Sequence, residues 1–329
     1  MRNFSNEPNF VTGLYNSEDI AVVPDTKWMI ASGMASVNRP AGHLYLVDLH
    51  SKTGTEVFPD KVTYDPDVAT YGTVDRPDPS VFDSHGLALR PGDDGLHTLY
   101  VVNHGGRESI EVFLVDAMGE GQPHLAWVGA IIQDDGVWGN AVAPLLDGGI
   151  VATNFLDLRD PEAFDKVCRG EVSGNLKEWH AGVGWTDVPD SALASPNGVE
   201  VSPDNAWYYV CSWATREFVR ISRGVEPVQR TTIPVEMMVD NVKWSSDDTL
   251  LTVGSLVTPD EVFARLQVDD SCNFPFSAIE IDPDTLEVRE LVRLDHEIFG
   301  TAATALYVGD DLWISSGRND RIAWFEPER

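Results

Sequence analysis

Residues Pro196–Trp213 read PNGVEVSPDNAWYYVCSW: a polar residue among small ones, an alternating apolar run, a turn, and a second apolar run. Val199 and Val201 alternate with Glu200, as the two faces of a half-buried strand require. Ser-Pro-Asp-Asn accepts tight-turn geometry, because short polar side chains and proline lower its cost. The stretch therefore predicts two antiparallel strands joined by a turn.

The same pattern returns along the chain. It appears as SEDIAVVPDTKWMIAS (Ser17–Ser32), SHGLALRPGDDGLHTLYVVNH (Ser84–His104) and GNAVAPLLDGGIVATNF (Gly139–Phe155), then as DNVKWSSDDTLLTVGS (Asp240–Ser255) and TAATALYVGDDLWISSG (Thr301–Gly317). The copies start about 43 to 67 residues apart, which is the spacing of propeller blades rather than of short solenoid repeats. GHLYLVDL, SIEVFLVD, FVRISR, SAIEID and IAWFEP alternate as third strands should. The strand near Ile322 and the stretch before Glu18 are candidates for closing the ring, which would remove exposed sheet edges. Six copies with scarce helical periodicity predict an all-β, six-bladed β-propeller, a single domain over residues 1–329. A two-domain β-sandwich would need a linker or composition shift near the middle, and none is visible. Residues 54–83 and 157–192 are read as loops at one rim, with 258–276 as a further substrate-facing segment.

Composition narrows the function. Of 329 residues 43% are hydrophobic, which suits a sizeable core. The formal charge of −30 repels phosphate backbones and anionic headgroups, so neither nucleic acid nor a membrane is expected as partner. Cys168, Cys211 and Cys272 are odd in number and lack metal-type spacing, so neither a zinc site nor a disulfide framework is expected. With no apolar signal core in MRNFSNEPNF and no membrane-length run, the chain reads as cytoplasmic. Its oligomeric state is not legible.

In a propeller the innermost strand of each blade lines a central channel, so residues in one register of every repeat converge there. The repeats open with Glu18-Asp19, His85, Asn140, Asn197, Asp240-Asn241 and the 301–304 stretch. Turn capping accounts for any one of these residues, but not for their common register. Buried carboxylates need a positive partner, and no Lys or Arg is expected at an equivalent position. Carboxylates with amides suit a hard cation; calcium accepts six to eight oxygen ligands in irregular geometry. His85, with an ordinary pKa near 6.5, is a candidate general base and His104 an assistant. Trp138, just before Asn140, is a candidate to face the substrate. His43, His50, His97, His124, His180 and His296 read as structural or solvated. No G-x-S-x-G elbow or phosphate-binding glycine loop is present.

These motifs carry a resemblance. The chain resembles the paraoxonase (serum arylesterase and lactonase) family of six-bladed propellers, and more distantly the gluconolactonase, senescence-marker and strictosidine-synthase-like propellers. It does so in NSEDIAVVPD around Glu18, SHGLAL around His85, VVNH ending at His104, PNGVEVSPD around Asn197 and VDNV around Asp240. The resemblance implies a catalytic calcium held by Glu18, Asn140, Asn197, Asp240 and Asn241, with His85 as base and His104 assisting. It implies a second, structural calcium at Asp19 and the Leu87 carbonyl. The Asp expected after the third-blade Asn is Ala141 here, which argues against that second ion. The implied activity is calcium-dependent hydrolysis of small-molecule lactones or aryl esters. Two alternatives stay open: a gluconolactonase-like sugar-lactone hydrolase in which Asp240 serves as base, and a non-hydrolytic or non-catalytic propeller with a structural metal.

Overall fold

A computed structural model describes residues 2–119, 121–266 and 272–328. Six sheets, antiparallel except for one added outer strand, each begin with a strand taken from one sequence repeat: Ile20–Val22, Ser84–Arg90, Val137–Pro144, Pro196–Val201, Met238–Trp244 and Ala302–Val308. From each of these the chain meanders outward, so sequence neighbours are also sheet neighbours. The inner strands of the second to sixth blades pack side by side in chain order, which makes a ring around a channel. The expected β-propeller is the fold.

The ring closes as anticipated. Asn9–Thr12 lies antiparallel to Arg321–Phe325, with Val11 opposite Ile322, so the sixth blade draws one strand from the start of the chain. All five expected third strands form: His43–Asp48, Ser109–Asp116, Glu217–Ser222, Phe276–Ile281 and Arg321–Phe325. Apolar side chains fill the wedges between blades. Between the first and second, Ile30, Leu44, Phe58, Phe82, Leu99 and Phe113 are all fully buried. Burial of this kind stabilises at roughly 25 cal/mol per Å² of apolar surface, and it sets the blade angle by shape.

Two of the expected loops are corrected. Residues 54–83 supply most of the outer strand Thr53–Phe58 and the strand Val62–Tyr64, which runs parallel to His124–Ile132, before the short helix Val68–Tyr71. Residues 157–192 hold the helix Ala163–Cys168 and the third blade's outer strands Asn175–His180 and Gly184–Asp187. Outer propeller strands are wetted along much of their length, so they lack clean apolar alternation and read as loops. The segment 258–276 contains the helix Pro259–Leu266; its residues 267–271 lie outside the described residues. No described helix is long and apolar enough to cross a membrane. Cys168, Cys211 and Cys272 form no disulfide.

Candidate metal centre and active site

The channel residues come from one repeated irregularity. In five blades the pairing of the inner strand with the next breaks between Ser84/Leu87, Gly139/Val142, Pro196/Val199, Val239/Val242 and Ala302/Ala305. Each break holds a consecutive pair: His85-Gly86, Asn140-Ala141, Asn197-Gly198, Asp240-Asn241 and Ala303-Thr304. A bulge re-aims side chains that regular pleating would send into the blade. Glu18-Asp19 occupies the matching place before Ile20. A hydroxyl on the second strand takes up the loosened N–H: Ser32 accepts from Asp19, Thr153 from Ala141 and Ser315 from Thr304, at 2.9, 2.9 and 3.0 Å. Gly86 and Gly198 are needed for the close approach. A Cβ there would come within 2.4 Å of the Asn140 carbonyl and 2.6 Å of the Asn241 Cα.

The break brings together every residue expected to hold the cation. Glu18, His85, His104, Asn140, Asn197 and Asp240 line one cleft of about 180 Å³, and Asn241 is bound to Glu18. Glu18 Oε1 accepts a hydrogen bond from Asn241 Nδ2 at 2.5 Å. Four buried oxygens have no partner: Glu18 Oε2 and the Oδ1 atoms of Asn140, Asn197 and Asn241. Leaving a buried acceptor unmade costs about 1–3 kcal/mol each, so a shared partner is required. Among the described residues no three His, Cys, Asp or Glu side chains form a metal-binding group. The donor set is two carboxylates with three amide oxygens, all hard and neutral or anionic, which fits calcium and no soft metal.

Electrostatics agrees. Burial, then the charges of Asp19 and Asp240, pushes the Glu18 carboxyl well above its ordinary range. Burial and the charge of Asp19 lift Asp240 to about 8, against the pull of a hydrogen bond from Asn197. Raised carboxyl pKa values mean that the metal-free fold holds protons the unfolded chain has released. The contribution of these two groups to stability is therefore greatest in acid and is lost as pH rises toward about 8. A bound cation removes that penalty. The thermal midpoint with calcium minus that in chelator is thus expected to widen from pH 5 to pH 9; a difference that stays flat or shrinks would contradict the site.

The histidines form a chain leading out of this centre. His85 Nε2 lies 3.1 Å from Asn140 Nδ2 and 3.7 Å from Glu18 Oε1. Burial, followed by the proximity of His104 and Arg318, holds its pKa well below 6.5, so the imidazole is neutral. His104 follows the neighbouring strand of the same blade, its ring edge-on to His85 with centroids 5.0 Å apart. Glu108 grips His104 Nδ1 at 2.9 Å, while His104 Nε2 has no partner. Glu108 escaped the sequence reading, although its place four residues after His104 in a hairpin turn is the signal that would find it. His97 and His180 serve contacts elsewhere, with Gly92 and Asp147.

Above the polar floor the wall is aromatic. Trp138 lines the cleft as anticipated, with Phe155, Trp213 and Phe263. Their rings form a linked series with Phe164: Trp138–Phe155 6.2 Å, Phe155–Trp213 5.8 Å, Trp213–Phe263 6.0 Å and Phe164–Phe263 5.5 Å. Phe164 and Phe263 come from the helices Ala163–Cys168 and Pro259–Leu266. Sequence reading placed these helices in loops and so could not assemble the wall.

No Lys or Arg stands in the register of the candidate ligands, but a lysine two residues beyond Asn241 supplies a positive charge that the sequence reading did not consider. Lys243, on the same strand as Asn241, reaches inward: its Nζ donates to Asp19 Oδ2 at 2.8 Å and to the Leu87 carbonyl at 2.7 Å. Asp19 and Leu87, the pair implied for a second calcium, do meet, but across an ammonium. Ala141, buried at the third-blade position, offers no ligand.

Neither known families nor curated proteins yield a match. Solved structures do. The chain is similar to a luciferin-regenerating enzyme (TM-score 0.59, 13% identity, 97% of this chain and 95% of that one). It is similar also to the calcium-binding protein regucalcin from Agrobacterium tumefaciens (0.57, 11%, 99% and 95%). A gluconolactonase from Xanthomonas campestris aligns comparably (0.57, 15%, 99% and 94%). At such identities the likeness is one of fold.

Proposed function

We propose that the channel binds one calcium ion through Glu18, Asn140, Asn197, Asp240 and Asn241, and that the protein hydrolyses lactones or aryl esters with His85 as general base. The observation that carries this reading is the set of four partnerless oxygens beside a neutral histidine, under an aromatic wall. When bound, the ion polarises the substrate carbonyl and stabilises the negative charge that develops on its oxygen.

The chain's own residues do the rest. His85, kept neutral by burial, takes a proton from the water that attacks the carbonyl carbon. The ester C–O bond then breaks and the leaving oxygen takes up a proton from solvent, while the proton held by His85 leaves to solvent through His104, fixed through Nδ1 by Glu108, so one water is added overall. Glu108 keeps that ring in a single orientation. Trp138, Phe155, Trp213 and Phe263 cover an apolar ring or acyl chain and exclude bulk water. This wall favours a lipophilic substrate over a sugar lactone, whose hydroxyls would find no partners there.

The test is a panel of aryl esters, aliphatic lactones and glucono-lactone, assayed after chelation and after calcium return. Activity toward the lipophilic members is expected to vanish in chelator and to recover with calcium. Turnover that persists in the stripped protein would end the metal reading. Preference for glucono-lactone would favour the sugar-lactone alternative with Asp240 as base, and inactivity on the whole panel would favour a binding propeller.

A further inference from the structure

Below the candidate calcium ligands the inner strands present a second ring. Three residues beyond the first channel-facing residue of each blade stand Ala21, Ala88, Ala143, Glu200, Lys243 and Leu306. Each occupies an equivalent pairing position: Ala21 opposite Ile30, Ala88 opposite Tyr100, Glu200 opposite Tyr209 and Lys243 opposite Leu251. Three alanines leave room, and only neighbouring blades four and five place charge there, of opposite sign. Lys243 crosses this space toward the first blade.

Asp19 is fully buried, and both of its oxygens are satisfied. Oδ1 accepts from the Ile20 N–H and the Thr304 hydroxyl, each at 2.8 Å. Oδ2 accepts from the Leu87 N–H and Lys243 Nζ, each at 2.8 Å. Glu18, one residue away, has an oxygen with no partner at all. The two adjacent carboxylates are thus treated oppositely: one waits for a cation, the other already has one. A lysine ammonium has three donors, and two are spent on Asp19 and Leu87. With Lys243 in place the Asp19 carboxylate and the Leu87 carbonyl are both engaged, so calcium, which takes six or more oxygens, finds no open ligand there; without it both are freed near Glu200, and water can complete the shell.

We infer that the Lys243 ammonium is a tethered replacement for a second divalent cation, so that the channel takes one calcium ion and no more. The inference rests on the reading of the Glu18 set as the calcium site. It follows that chelation leaves Asp19 compensated, and that the lower channel stays assembled without metal.

Calcium per chain, counted by native mass spectrometry in millimolar calcium, together with thermal midpoints in calcium and in chelator, tests it on the wild type and on Lys243→Ala. The wild type should carry one ion. Lys243→Ala should carry two, melt several degrees lower in chelator, and be stabilised by calcium more than the wild type is. Two ions on the wild type overturn the proposal, as does a variant that keeps one ion and the wild-type midpoints. If the variant does not fold, the wild-type count alone decides. A wild type that binds no ion instead removes the Glu18 reading, and the role of Lys243 is then judged by whether Lys243→Ala gains an ion.

Discussion

Replacing Glu18 with glutamine is expected to lower kcat/KM by about 10³-fold, the scale lost when a main source of oxyanion stabilisation is removed. Glu18 is one of two carboxylates in the set, and its Oε1 holds Asn241 in place. Losing it should also weaken calcium binding, measured by titration calorimetry. Stability should move the other way in chelator. Burial, then the charges of Asp19 and Asp240, makes an ionised Glu18 costly in the metal-free fold, and glutamine removes both that cost and the proton uptake that avoids it. A gain of about 1 kcal/mol in the metal-free state is expected. An inert but sturdier protein separates this account from simple damage to the fold. Wild-type turnover with wild-type calcium affinity would remove Glu18 from the site.

Replacing His85 with glutamine should lower kcat by about 10²- to 10³-fold, the usual share of a general base. A glutamine oxygen can still accept from Asn140 Nδ2, so calcium stoichiometry should be unchanged. Because burial holds the His85 pKa well below 6.5, the wild-type rate should rise on an acid limb under that value and then stay level through neutrality. The variant should lose that limb. If Asp240 is the base instead, the His85 variant keeps both the limb and most of its turnover, and Asp240→Asn takes them away.

The polar register was readable because it rests on identity and spacing alone. Glu18, Asn140, Asn197 and Asp240-Asn241 sit where a strand lining a dry wedge would carry Val or Leu, and that contradiction needs no coordinates. The inner, second and third strands were equally open to reading, since one or both of their faces are buried and their alternation is clean. Outer strands such as Asn175–His180 were hidden by water on their exposed faces. Two things escaped because they join distant parts of the chain. The aromatic wall gathers Phe155, Phe164, Trp213 and Phe263 from three blades and two short helices. Lys243 fell outside the register considered, although strand periodicity places it on the face of Asn241. Its partner Asp19 lies 224 residues away in sequence.

The clasp between Asn9–Thr12 and Arg321–Phe325 has a consequence for kinetics. Glu18 follows the N-terminal half of the clasp, and its carbonyl accepts from Ser315, on the strand next to the C-terminal half, at 2.9 Å. The seam that closes the circle is therefore also one wall of the candidate site. Closing it joins segments more than 300 residues apart, at a loop-closure cost in chain entropy. A parting of this seam would free Glu18 while the other four candidate ligands stay on intact blades. The lifetime of anything held in the channel is then tied to how often the two ends of the chain let go of each other.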